Sequence, residues 1–154
     1  MLRSIQPESV LDLGTGRGTF LWPLLNAFSE IPITAVDIHR QRLSDLEAVH
    51  RGGAARLTVI GADLQRLPLR ERSFDVVTML EVLEHLPDPA AAARCALQAA
   101  RRFVLVTVPS KEDENPEHLH VFTENDLRRM FEDAGAARLQ FDGVLNHHVL
   151  LVRR

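Results

Sequence analysis

The segment Val10-Leu11-Asp12-Leu13-Gly14-Thr15-Gly16-Arg17-Gly18-Thr19-Phe20 constrains the fold more than any other stretch of the chain. A short apolar strand carries an acid near its end and breaks into glycines at alternate positions. An apolar helix through Leu21, Leu24 and Leu25 follows at once. Glycine reaches backbone angles that a Cβ forbids and lets a ligand approach the main chain closely. The helix behind it aims unpaired N–H groups into the same space. Strand, glycine turn and helix together predict a ligand cradle on the carboxyl edge of a parallel sheet. The spacing departs from the dinucleotide fingerprint G-x-G-x-x-G, and an acid beside the loop would repel a pyrophosphate while suiting an ammonium group.

Two further strands end in acids. Ile33-Thr34-Ala35-Val36-Asp37-Ile38 places a carboxylate about twenty residues beyond the glycines, the separation at which doubly wound folds meet a ribose. Asp37 would accept from both ribose hydroxyls; the other reading is a cap for the helix through Leu43 and Leu46, and the ribose is preferred because the acid stands where the fold puts its ligand. Leu57-Thr58-Val59-Ile60-Gly61-Ala62-Asp63-Leu64 ends in a small pair and then an acid, which either faces a ligand or closes an Asx-turn. A fourth strand, Val76–Leu80, runs into Glu81-x-x-Glu84-His85. In a helical turn, positions 81, 84 and 85 share a face, and Pro87 and Pro89 limit that turn to a short one.

Asp12-x-Gly14-x-Gly16-x-Gly18 resembles the first motif of the class I S-adenosylmethionine-dependent methyltransferases, and the segment from Phe74 to Pro89 resembles the fourth motif of many small members. The resemblance covers nearly the whole chain. It implies S-adenosylmethionine as cofactor, with Asp12, Gly14, Gly16 and Gly18 around its methionine end. Asp37 and Ile38 would meet the ribose side, Asp63 and Leu64 the adenine, and Leu80 and Glu81 would complete the set.

At 154 residues and 45% apolar content, the chain fits one domain with a real core. It reads as a single domain over 1–154 that lacks N-terminal cap helices. One cysteine, Cys95, excludes an internal disulfide and fits a reducing, cytoplasmic setting. No stretch is long and apolar enough to span a membrane. A net charge of −3 argues against bulk nucleic-acid binding.

Strands over Val10–Leu13, Ile33–Val36, Leu57–Ile60, Val76–Leu80 and Phe103–Val108 alternate with helices over Thr19–Phe28, Arg40–His50 and Ala90–Ala100. That order predicts an α/β, doubly wound parallel sheet with helices on both faces. A helix over Glu124–Ala134, with Thr123 as N-cap and Asp126 at N3, is followed by strands Ala137–Val144 and His147–Arg153 around a short turn, hence an antiparallel hairpin. The resemblance supplies seven strands in the order 3-2-1-4-5-7-6, Rossmann-like and mostly parallel apart from that hairpin.

The Pro109–Phe122 segment follows a strand and therefore lies on the carboxyl edge. It contains His118 and His120, which in an extended chain face the same side. With Glu84 and His85 they resemble the metal-binding arrangement of the RNA 3′-terminal 2′-O-methyltransferases of the Hen1 type, while Glu-x-x-Glu-His also occurs in some quinone-biosynthesis O-methyltransferases. Our reading is metal-free, with His85, His118 or His120 as general base; the residues do not choose among the three. His147 and His148, at the start of the last strand, read as structural.

Methyl transfer from a sulfonium needs in-line placement and a deprotonated acceptor, and no protein nucleophile. The preferred acceptor is a small molecule rather than nucleic acid. The alternatives are a metal-assisted RNA 2′-O-methyltransferase, for which arginines at 66, 70, 72, 94, 101, 102, 128 and 129, scattered over several elements, would have to supply a basic surface, and a non-catalytic cofactor-binding module. An open site of this kind could also be closed by a second copy in a homo-oligomer.

Overall fold

A computed structural model describes residues 2–112 and 114–154. The elements in chain order are α1 (Leu2–Ile5), β1 (Val10–Leu13), α2 (Leu21–Ala27), β2 (Ile33–Asp37), α3 (Arg40–Arg51), β3 (Leu57–Gly61), β4 (Phe74–Leu80), a 3₁₀ turn (Leu83–His85), α4 (Pro89–Ala99), β5 (Ala100–Pro109), α5 (Glu124–Asp133), β6 (Arg138–Val144) and β7 (His147–Arg153). The strands form one sheet ordered β3-β2-β1-β4-β5-β7-β6. The first five are parallel, and β7 runs antiparallel to both β5 and β6. The expected fold class and strand order are both met.

Side chains alternate across a strand, and the alternation builds a core on each face. Val10, Ile33, Ala35, Leu57 and Val76 pack with Leu21, Leu24 and Leu25 of α2 and Leu46 of α3. Leu11, Leu13, Val77, Met79, Val104 and Val106 pack with Ala92, Ala93, Ala96 and Leu97 of α4 and Leu127 and Phe131 of α5. The alanine-rich α4 lies flat against its face because its contact residues are small. Asp88 caps it, accepting from the Ala91 N–H at 2.9 Å, and Pro89 takes the first turn, where its missing N–H costs nothing. Thr123 and Asp126 close a reciprocal capping box on α5.

Two boundaries differ for a physical reason. The helix after the glycine loop starts at Leu21 rather than Thr19, because Pro23 has no N–H to donate to the Thr19 carbonyl. At the other end, β5 extends from Ala100 to Pro109, three residues earlier than its apolar run, because Ala100 already pairs with Phe74 across a register irregularity in β4. No helix among the described residues is long and apolar enough to cross a membrane.

Candidate active site

The carboxyl ends of β1, β2, β3 and β4 open into a cleft of about 930 Å³, within the range of small-molecule and cofactor sites. Asp12, Gly14, Gly16, Asp37, Ile38, Asp63, Leu64, Leu80, Glu81 and His85 all line it. Ten positions spread over more than seventy residues of sequence thus meet in one space. Gly18, His118 and His120 are not among the lining residues.

Asp12 sits on β1 opposite Thr78 of β4 in register. The Thr78 hydroxyl donates to Asp12 Oδ1 at 2.6 Å. The second oxygen, Oδ2, is buried and has no hydrogen-bond partner among the described residues. Burial is the largest influence on this carboxyl and, with the negative charge of Asp37, outweighs the hydrogen bonds from Thr78 and Thr15, raising its pKa from 3.8 to about 6. An uncompensated carboxylate oxygen at the floor of a cleft is suited to a cationic ligand group.

The glycine loop leaves β1 through three left-handed residues. Gly16, at φ +60°, donates its N–H to Asp37 Oδ2 at 2.8 Å, so the tip of β2 holds the loop directly. Asp37 Oδ1 accepts from the His39 N–H at 2.8 Å, and Arg42 stands 3.6 Å from Oδ2. Asp37 is buried, and the N-cap of α3 is His39. The carboxylate therefore fastens the loop and still lines the cleft, where each of its oxygens has a further lone pair for a ligand hydroxyl. Gly18 has a packing task. Its φ is +79°, and a Cβ there would stand 2.3 Å from the Trp22 ring. It is glycine so that the loop can pack on Trp22, whose indole N–H donates to the Arg17 carbonyl at 3.1 Å. Asp63 lines the cleft and also closes a local turn, Oδ1 accepting from the Gln65 N–H at 3.0 Å.

On the far side, Glu81 follows β4 at φ +57°, an unusual backbone for a glutamate. The Glu81 N–H donates to the Thr107 carbonyl at 3.0 Å, and the Thr107 hydroxyl donates to Glu81 Oε1 at 2.6 Å. Its Oε2 lies 3.1 Å from His147 Nε2. The 3₁₀ turn that follows separates the three residues of the Glu-x-x-Glu-His motif: Glu81 and His85 reach the cleft, whereas Glu84 is fully buried.

The Leu119 N–H donates to the Glu84 carbonyl at 2.7 Å, which ties the loop after β5 onto this turn. His85 Nδ1 lies 3.0 Å from the Glu117 carbonyl oxygen. The His118 ring stands edge-on to His85 at 4.7 Å between centroids. His120 Nε2 lies 2.9 Å from the Leu86 carbonyl oxygen, and its ring packs near Phe122. The structure thus joins His85 and His118 but turns His120 toward the main chain of residue 86. Glu84, His85 and His118 each offer a ligand atom within 4.8 Å of the others, a set that could hold a cation.

Sequence reasoning did not find Thr78, Thr107, Glu117 and His147. His147 had a usable signal: in an antiparallel hairpin the first residue of the last strand lies at the carboxyl edge, and His147 pairs there with Pro109.

Comparisons with known proteins agree with this geometry. A family model described as a methyltransferase domain matches residues 2–140. The ubiquinone biosynthesis O-methyltransferase of Ralstonia nicotianae is 38% identical over 93 residues, which cover 58% of this chain. The match spans only 37% of that protein's length. A SAM-dependent methyltransferase from Aquifex aeolicus superposes with a TM-score of 0.75 at 20% identity, covering 95% of this chain and 81% of that one. The N-terminal domain of EvdMO1, solved with S-adenosylhomocysteine bound, superposes with a TM-score of 0.79 at 18% identity, covering 99% and 77%. The chain belongs to the methyltransferase domain family, with the class I S-adenosylmethionine-dependent fold.

Proposed function

We propose that this chain binds S-adenosylmethionine in the cleft and transfers its methyl group to a hydroxyl of a small-molecule acceptor in the cytoplasm. One observation carries the reading: the acid tips of three successive strands, Asp12, Asp37 and Asp63, converge with Gly14 and Gly16 on one cleft, and one buried carboxylate oxygen there has no partner among the described residues. The cofactor, when bound, supplies a methyl group already activated on sulfur.

The residues present fit it. Asp12 Oδ2 would accept from an ammonium group. Asp37 would take ribose hydroxyls while keeping the glycine loop in place, and Asp63 would accept from the adenine amino group. Ile38, 62% exposed, and Leu64 offer apolar surface for the ring. His85 is the general base. A His85 Nδ1–H donated to the Glu117 carbonyl leaves the Nε2 lone pair to take the proton from an acceptor hydroxyl. Positioning of acceptor and methyl group in line supplies the rest. The O-methyltransferase named among the relatives supports a hydroxyl acceptor.

Titrating the purified protein with S-adenosylhomocysteine, then assaying methyl transfer from labelled S-adenosylmethionine to a panel of phenols, catechols and hydroxy acids, tests both halves of the reading. Cofactor binding without transfer to any of them would leave a binding module.

A second reading is favoured by the Glu84, His85 and His118 set: metal-assisted transfer, with His85 as a ligand rather than a base and RNA among the acceptors to be tried. Stoichiometric divalent metal in the purified protein, with activity abolished by chelation, would select it.

A further inference from the structure

The C-terminal hairpin brings one side chain back to the cleft wall. His147 opens β7, and its backbone is fixed from two sides. It pairs with Pro109 of β5 and with Val144 of β6. The turn before it, where Asn146 adopts φ +66°, is stitched to the end of β5 by the Ser110 N–H donating to the Asn146 carbonyl at 2.8 Å. The ring then lies between two acceptors. Nδ1 is 3.0 Å from the Leu145 carbonyl oxygen, and Nε2 is 3.1 Å from Glu81 Oε2. A neutral imidazole carries one N–H, so only the protonated ring donates to both. Glu81 is gripped from the other side by the Thr107 hydroxyl. A glutamate in a left-handed backbone conformation, held by two side chains from two other strands, is more than a surface carboxylate.

We propose that His147 is a positioning residue of the cofactor site: with Thr107 it pins the Glu81 carboxylate to the cleft wall, and its charge sets how much negative potential Glu81 presents there. This rests on the reading of the cleft as the S-adenosylmethionine site. With a protonated His147 the pair is close to neutral. With a neutral His147 the carboxylate stands uncompensated.

The cofactor and its demethylated product differ chiefly in charge at sulfur, a sulfonium before transfer and a neutral thioether after it. Their ammonium, carboxylate, ribose and base are the same. The ratio of their affinities therefore reads the field at the sulfur. Asp12, Arg17, Asp37, His39, Arg42, Asp63, His85 and Glu117 line the same cleft and bear on the same field. The informative quantity is thus the difference between the wild type and His147→Gln, whose amide N–H still donates to Glu81 but carries no charge.

The experiment is a calorimetric titration of wild type, His147→Gln and Glu81→Gln with S-adenosylmethionine and with S-adenosylhomocysteine, at several values between about pH 5.5 and about pH 8. The wild-type preference for the sulfonium is expected to change about threefold to tenfold more than that of His147→Gln between these conditions, because only the wild type carries an ionisable ring against Glu81 Oε2.

Equal preferences in wild type and His147→Gln at every pH would overturn the inference and leave His147 as a clasp of the hairpin. Should His147→Gln fail to fold, Glu81→Gln decides: its preference at about pH 8 must fall about threefold or more below wild type, and an unchanged preference would overturn the inference. Failure of the wild type to bind either ligand would bring down the cofactor reading itself, a result distinct from binding without discrimination.

Discussion

The two halves of the cleft are built by different means. The half under β1, β2 and β3 is main chain and buried acid: a left-handed glycine loop, Asp12 and Asp37, each almost inaccessible, and an N–H of the loop tied to the neighbouring strand. The half beyond β4 is side chain and partly exposed. Glu81, His85 and Glu117 line it, and His118 and His147 stand behind them. On the proposed reading, the first half would grip the parts of a ligand that never change. The second half would meet the acceptor, and it is assembled from a turn, a loop and a hairpin that can vary without disturbing the sheet. Substitutions in the first half should therefore abolish binding, and those in the second should change transfer or discrimination.

The largest effect is expected in the second half. His85→Ala should lower kcat by roughly 10²- to 10⁴-fold, the usual contribution of a positioned general base, once an acceptor is in hand. S-adenosylhomocysteine affinity should stay close to wild type. A loss of cofactor affinity of the same size would erase the division of labour. Gly16→Val comes next. A branched side chain at φ +60° strains the loop that carries the N–H to Asp37, and cofactor affinity should fall by more than about a hundredfold while circular dichroism reports an intact sheet. Asp37→Ala should cost on the order of 1.5–3 kcal/mol of cofactor binding, the range for hydrogen bonds to a charged group. A loss below about threefold would reduce Asp37 to a fastening of the loop.

Asp12 sharpens the comparison through pH. Its pKa is about 6 in the folded chain against 3.8 as the ordinary value, so between these values the folded state holds more proton than the unfolded one. Stability from this group is present below about pH 4 and lost as pH rises through about 6. The shift of about two units corresponds to roughly 3 kcal/mol against the folded state at neutral pH. Asp12→Asn keeps an acceptor for Thr78 and should raise the stability of the ligand-free protein at about pH 8 by about 1–3 kcal/mol, measured by urea denaturation, while weakening cofactor binding. The wild-type cofactor affinity should fall as pH drops below about 6, where Asp12 protonates. Stability unchanged by Asp12→Asn would mean that the buried carboxyl is not strained toward its ligand. The smallest effect is expected for His120→Gln, whose ring meets the Leu86 carbonyl rather than the cleft. Transfer rates should change by less than about threefold, since an amide N–H can replace that contact.

The first half was legible in sequence because it is local. A strand, an acid, a glycine turn and a helix follow one another within about twenty residues, and strand periodicity alone places each acid at a tip. Even there, pattern did not resolve what a glycine is for. Gly14 and Gly16 line the cleft, but Gly18 answers to Trp22, four residues ahead. Asp12 was legible as an acid beside the loop, whereas its bond to Thr78 depends on the register of two strands that are 66 residues apart. The second half was legible only as a stock of histidines. Glu81, Glu84 and His85 share a motif yet diverge, because a short 3₁₀ turn replaces the helical turn that would have kept them on one face. His147 comes to Glu81 across the sheet, a contact set by topology rather than by spacing.

The central claim is that three strand-tip acids and the glycine loop form one site for S-adenosylmethionine and its product. The most direct measurement is a titration of the purified chain with S-adenosylhomocysteine by calorimetry, paired with thermal melting in the same buffer. The account expects one site per chain and, at about a hundredfold excess over the dissociation constant, a stabilisation of about 2.7 kcal/mol, seen as a rise of several degrees in Tm. Neither heat nor a melting shift at about 1 mM ligand, far above the range in which such a site should fill, would contradict it.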